Sequence, residues 1–151
     1  MAARTARFGG LVPTDDYVDA SLPGCARTTW RVIGTPGTAP GAAPIEAEGF
    51  HMNLVRCEPG QGAPLHSHLT QEVFFALEGR WEVSWGPEGA SRLVLERFDT
   101  VSIPPGVCRG FRNIGETPGL LMGLASGRDP GMIDWPPTVR DAAAQAGVVL
   151  P

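Results

Sequence analysis

Residues 58–79 read EPGQGAPLHSHLTQEVFFALEG, and the path of this stretch decides the fold. It opens on glycine and proline, which disfavour a helix through "GQGAP", and it closes on apolar residues. If His66 and His68 lie on a strand, they point to the same side with Cα atoms about 6.6 Å apart. On a helix they would point in nearly opposite directions. Glu72 has the same parity and rejoins that face if residues 69–71 form only a tight bend. Two neutral imidazoles and a carboxylate suit a divalent transition ion such as Fe, Mn, Ni, Co, Cu or Zn. Taken alone, an H-x-H in a polar turn is equally compatible with two surface histidines, so the neighbouring segments carry weight.

Those segments read as short strands. "TTWRVIG" (Thr28–Gly34) is β-branched and aromatic. "FHMNLVRCEPG" alternates so that His51, Asn53, Val55 and Cys57 share one face. "EVFFALEGRWEVSWGPEG" is expected to form a hairpin turning at Gly79, with "GPEG" closing its second arm. "SRLVLERFDTVSIPPGV" supplies two more strands, and "RGFRNIG" and "GLLMGLAS" another two. The 20 glycines and 15 prolines punctuate the chain throughout, a pattern of turns between many strands. One helix is expected near residues 141–146, with Pro136 and Pro137 at its start and Gly147 as its stop. The division expected is an arm, first strand and Pro/Gly loop at 1–48, a barrel at 49–128 and a helical tail at 129–151, together a single domain.

Composition narrows the function. The formal charge is −4, and the chain has no lysine and only scattered arginines, so no basic stripe is available for nucleic acid. No apolar run is long enough to span a membrane, and the first ten residues lack the apolar stretch of a secretory signal. Cys25, Cys57 and Cys108 are odd in number and show no paired spacing, which fits a reducing cytoplasm and small buried side chains.

The pattern Gly60, five residues, His66-x-His68, three residues, Glu72, six residues, Gly79 resembles the first motif of the cupin superfamily in both glycines and every spacing. "FDTVSIPPGVCRGFRN" resembles the second motif, with Asp99, Pro104, Gly106 and Asn113 in register. The resemblance implies an all-β antiparallel jelly roll, or double-stranded β-helix barrel, with an N-terminal arm and one short C-terminal helix. It also implies His66, His68 and Glu72 as metal ligands, and a homodimer. Where the second motif normally supplies a fourth ligand, a histidine, this chain has Arg109. Phe98 replaces the glycine that normally opens that motif.

Arginine stays protonated and cannot ligate a cation. Three arrangements are open: Arg109 gripping a substrate anion beside a three-ligand metal, Arg109 forking onto Glu72 in a metal-free pocket, or Arg109 turned out of the cavity. The first makes Arg109 a catalytic and substrate-binding residue, with Phe74, Trp81 and Phe111 as aromatic candidates for the wall. His51 is expected about 20 Å from the Cys57 end of its strand and so away from the site. Trp135 is expected to dock the terminal helix. The functional expectation is a metal-dependent enzyme acting on a small anionic or aromatic metabolite by an oxygen-using, dioxygenase-like oxidation. The alternatives are a metal-dependent isomerase, lyase or cyclase, and a non-catalytic small-molecule-binding barrel.

Overall fold

In the computed structural model, which describes residues 4–129 and 131–151, the strands follow the turn signals of the sequence. They are β1 (Thr28–Gly34), β2 (Ile45–Glu46), β3 (Phe50–Cys57), β4 (Gly62–His66), β5 (Glu72–Glu78), β6 (Trp81–Trp85), β7 (Ser91–Leu95), β8 (Thr100–Ile103), β9 (Arg109–Asn113) and β10 (Gly119–Ser126). One sheet has the order β2-β1-β3-β10-β5-β8 and the other β4-β9-β6-β7. The short β2 runs parallel to β1; the other pairings are antiparallel. This is the jelly roll that the motifs imply.

The expected hairpin at Gly79 is a correction. β5 pairs with β10 and β8 in one sheet, whereas β6 pairs with β7 and β9 in the other. The turn at Gly79 therefore carries the chain from one sheet to the other. Gly79 has φ +85, and a Cβ there would lie 2.9 Å from the Gly119 Cα, so both backbone angle and close approach require glycine. The local hairpin is β6–β7, closed by "GPEG" as expected.

The core lies between the sheets. Trp81, Val83, Ala76 and Leu121 are fully buried, and burial of each large apolar side chain contributes roughly 1.5–3 kcal/mol. Phe74 and Phe111 meet edge-on with centroids 5.2 Å apart, and Trp81 meets Phe111 at 5.9 Å. Asn113 of the second motif is a structural clip. Its amide donates to the Cys57 and Thr117 carbonyls at 2.9 Å and accepts from the Gly115 N–H at 2.9 Å. Phe98 holds the glycine position of that motif at φ +75, a left-handed conformation costing roughly 1–2 kcal/mol for a residue with a Cβ. Cys25 and Cys57 are buried, Cys108 is half-buried, and all three are free. Burial pushes the Cys57 thiol up to about 12, so it is an inert core group.

The termini close one end of the roll. Thr14 and Thr29 exchange two backbone hydrogen bonds of 2.8 Å, so the arm lies on the edge of its own β1; its first three residues lie outside those described. Helix α1 (Pro137–Gln145) starts with Pro137 at its first position and ends at Ala146, followed by Gly147 at φ +72. Leu22 and Cys25 of the arm pack with Trp135, Val139 and Ala143 in a second apolar cluster.

Candidate metal centre and its cavity

The strand reading of His66 and His68 is observed. His66 ends β4 opposite Arg109 of β9. Ser67 exchanges backbone hydrogen bonds of 2.9 and 3.0 Å with Asp134, and the Gly106 N–H donates to the His68 carbonyl at 2.7 Å. These bonds hold the short H-S-H segment extended. The chain then bends through Leu69 and Thr70, and Glu72 opens β5. One donor atom from each of His66, His68 and Glu72 lies within 4.8 Å of the others.

The donor chemistry fits a cation. His66 Nδ1 lies 2.8 Å from the Pro64 carbonyl, which assigns the proton to Nδ1 and leaves the Nε2 lone pair for a ligand. His68 Nδ1 is buried with no protein partner, an arrangement that costs free energy unless a ligand or ion completes it. Burial first, and then the Arg109 charge, push both imidazoles down, His66 well below its usual value and His68 to about 4. Both rings are thus neutral near pH 7, as metal ligation requires. Burial pushes the Glu72 carboxyl up, while Arg109 opposes that rise.

Arg109 is turned inward and is 1% exposed. Its Nε donates to Glu72 Oε2 at 2.8 Å, one terminal nitrogen donates to the same oxygen, and the other donates to the His66 carbonyl at 2.9 Å. This excludes the outward arrangement. What is observed is the second of the three arrangements, the fork onto Glu72, with the guanidinium also donating to the His66 carbonyl and not lining the cavity. Glu72 keeps Oε1 for a ligand. The three donors fit a divalent ion with positions left open, and Arg109 pairs with the carboxylate among them.

The three donors line a cavity of about 90 Å³. Phe74 and Phe111 are on its wall, as expected. Trp81 is not: it is fully buried farther along the roll and donates its Nε1–H to the Glu78 carbonyl at 2.9 Å. His51 is a second correction. Its partner across the ladder is Ala125, and Ala125 is also the partner of Glu72. His51 and Glu72 thus face one side of a sheet two strands apart, about 10 Å between Cα atoms. The site lies at the His51 end of β3, not at the Cys57 end. His51 lines the cavity but is outside the three-donor group.

The rest of the wall comes from Trp135 and from arm and β1 residues that the sequence pattern did not mark. Arg27 donates to both carboxylate oxygens of Asp19 at 2.8 Å, and the pair is nearly sealed from solvent. The Tyr17 ring lies 4.9 Å from the Arg27 guanidinium and 5.2 Å from that of Arg31. Trp135 both docks helix α1 and lines the cavity, with its ring 5.6 Å from His66. Trp135 carried a readable signal and Thr29 lies in a segment read as a strand, whereas Asp19 comes from a stretch without periodicity.

The cupin domain family model matches residues 53–124, spanning both motifs and the donor group. Over these residues, a little under half of the chain, the sequence is similar to the cupin domain family. Among solved structures, the chain is similar to a cupin-2 domain protein from Rhodospirillum rubrum, with TM-score 0.66 and 17% identity over 94% of this chain and 86% of that one. It is also similar to a sugar phosphate isomerase of the cupin superfamily from Silicibacter pomeroyi, with TM-score 0.61 and 21% identity over 82% of this chain and 75% of that one. A DMSP lyase from Ruegeria pomeroyi gives TM-score 0.59 and 21% identity over 85% of this chain, which spans 58% of the lyase. No curated protein matches the sequence. No helix among the described residues is long and apolar enough to cross a membrane.

Proposed function

We infer that this chain is an enzyme that holds a divalent transition ion on His66, His68 and Glu72 and acts on a small metabolite in the adjoining cavity by redox-neutral chemistry of the lyase, isomerase or cyclase kind. The observation that carries this is the convergence of His66, His68 and Glu72, with one donor atom from each within 4.8 Å of the others. An ion held there would polarise an oxygen of the substrate as a Lewis acid. The chain's own charges favour that role. Arg109 cancels the charge of Glu72, and a fixed guanidinium one carboxylate away opposes any further gain of positive charge at the site. His66 and His68 are kept neutral, and the bonds of His66 to Pro64 and of Arg109 to Glu72 hold the donor set oriented before substrate arrives. Tyr17 lines the cavity, its ring 4.9 Å from the Arg27 guanidinium. Trp135 and the arm residues Tyr17 and Asp19 line the cavity. The fold hosts a lyase and an isomerase among its neighbours, which makes such chemistry compatible with it.

A second reading, oxygen-using oxidation, is favoured by the donor set itself, because two histidines and one carboxylate leave room for oxygen beside substrate. Turnover of a panel of hydroxy and oxo acids by protein loaded with Fe(II), Mn(II), Co(II) or Zn(II), followed by product analysis and an oxygen electrode, separates the two. Product formed without oxygen and with a redox-inert ion supports the first. Product formed only with Fe(II) or Mn(II) and matched by oxygen uptake overturns it for the second.

A further inference from the structure

Three residues that line the cavity each carry a buried polar atom with no hydrogen-bond partner. Thr29 Oγ1, His51 Nδ1 and Trp135 Nε1 are each buried without a protein partner, and their residues are 2%, 6% and 3% exposed. All three residues line the cavity that holds the metal donors. They come from three separate parts of the chain: β1, β3 and the segment before α1. A buried donor or acceptor left unsatisfied costs free energy, and three such atoms on residues that line one cavity call for a polar ligand.

The charge pattern says what that group is. The one guanidinium on the cavity lining, that of Arg27, is committed to Asp19 and to the Cys25 carbonyl, and Arg109 next to the donor group is committed to Glu72 and the His66 carbonyl. This wall therefore offers hydrogen bonds and no free positive charge. Indole N–H can only donate, a threonine hydroxyl donates or accepts, and a neutral imidazole nitrogen does one or the other. A hydroxyl or carbonyl oxygen satisfies such a set. A phosphate dianion would be stripped of water with no counter-charge beside it, which is costly.

We propose that Thr29, His51 and Trp135 form a neutral subsite that binds the hydroxyl- or oxo-bearing tail of an unphosphorylated, small hydroxy- or oxo-carboxylate. The carboxylate end faces the metal donors, and the tail is read by Thr29 Oγ1, His51 Nδ1 and Trp135 Nε1. This rests on the proposed metal-dependent role of His66, His68 and Glu72, and names the substrate class of that site.

The test is calorimetric titration of the Mn(II)-loaded wild-type protein with glycerate, 3-phosphoglycerate, pyruvate and propionate, with metal content measured on the same samples. Glycerate or pyruvate is expected to bind about tenfold or more tightly than 3-phosphoglycerate or propionate. Thr29→Val and Trp135→Phe, which remove the polar group and keep most of the shape, are each expected to weaken glycerate by about three- to tenfold and to leave propionate and Mn(II) content unchanged. The comparison of ligands on the wild-type chain needs no variant, so a variant that fails to fold does not blunt the test. Equal or tighter binding of 3-phosphoglycerate, absence of binding by both glycerate and pyruvate, or glycerate affinity unaltered in both folded variants overturns the proposal. A wild-type protein that takes up no Mn(II) overturns instead the metal reading on which it rests, and is recognised by the metal analysis.

Discussion

Arg109 and Glu72 form a buried fork in which two guanidinium nitrogens meet one carboxylate oxygen, from strands of opposite sheets. The pair ties the four-stranded sheet to the six-stranded one at the cavity floor. It leaves the second Glu72 oxygen as the only carboxylate donor in the group of three. Stability and ligand chemistry thus meet at one interaction, and substitutions there separate the two.

Arg109→Met should destabilise the metal-free protein by about 3–5 kcal/mol, the cost of leaving a buried carboxylate without its partner. Adding Glu72→Gln should recover a large part of that loss, because the uncompensated charge is gone. Urea denaturation of the wild type, both single variants and the double variant measures the coupling. Additive losses would mean that the fork contributes nothing as a pair.

Arg109→His should tighten Co(II) binding on the order of tenfold or more. It removes a cation from beside the site and supplies an imidazole on the residue facing His66 across the ladder. Competition titration against a chromophoric chelator reads the change. Unaltered affinity would show that the Arg109 charge is not felt at the donor group.

Metal-free protein should lose stability as pH falls from about 6.5 towards about 4, because His68 has a folded pKa of about 4 against an ordinary 6.5, and His66 is lowered in the same direction. Above pH 6.5 neither state binds these protons. Below it the unfolded chain takes up protons that the folded chain refuses, so stability rises with pH through this window. Glu72, raised by burial, works in the opposite sense: it favours the folded state at low pH, and that gain is lost as pH rises through its folded pKa. The urea midpoint of the wild type compared with His68→Gln isolates the histidine part. The variant should show the shallower decline, and identical profiles would contradict the assignment.

Gly62→Ala should be severely destabilising although Gly62 has no positive φ. A Cβ there would sit 1.8 Å from the Phe111 carbonyl oxygen and 2.8 Å from the Arg112 Cα, so β4 and β9 would have to separate, and His66 would move with β4. Thermal unfolding should show a large fall in melting temperature together with lost metal binding. A wild-type melting temperature would mean that this edge of the sheet is loosely held.

Sequence reasoning reached the donor set because a strand's period of two fixes relative side-chain direction locally: His66, His68 and Glu72 needed only a tight bend between them. It reached Phe74 and Phe111 for the same reason. Parity does not say how far along the roll a residue sits, which is why Trp81 belongs to the deep core and not to the cavity wall. Nor does it give pairing between strands distant in sequence. His51 meets the site through Ala125 of β10, 74 positions on, and no local pattern encodes that register. The hairpin expected at Gly79 failed because two strands joined by a tight glycine turn look alike whether they pair or cross to opposite sheets. Asp19 of the wall comes from a stretch with no period, where burial is decided by docking of the arm.

The most direct test of the central claim is the metal content of protein purified without chelator and equilibrated with micromolar Mn(II), Fe(II), Co(II) or Zn(II). Close to one divalent ion per wild-type chain is expected, falling to near zero in His66→Ala and in His68→Ala while both variants remain folded. A wild-type chain that retains no ion, or variants that retain as much as the wild type, would contradict the assignment of His66, His68 and Glu72 as a metal centre.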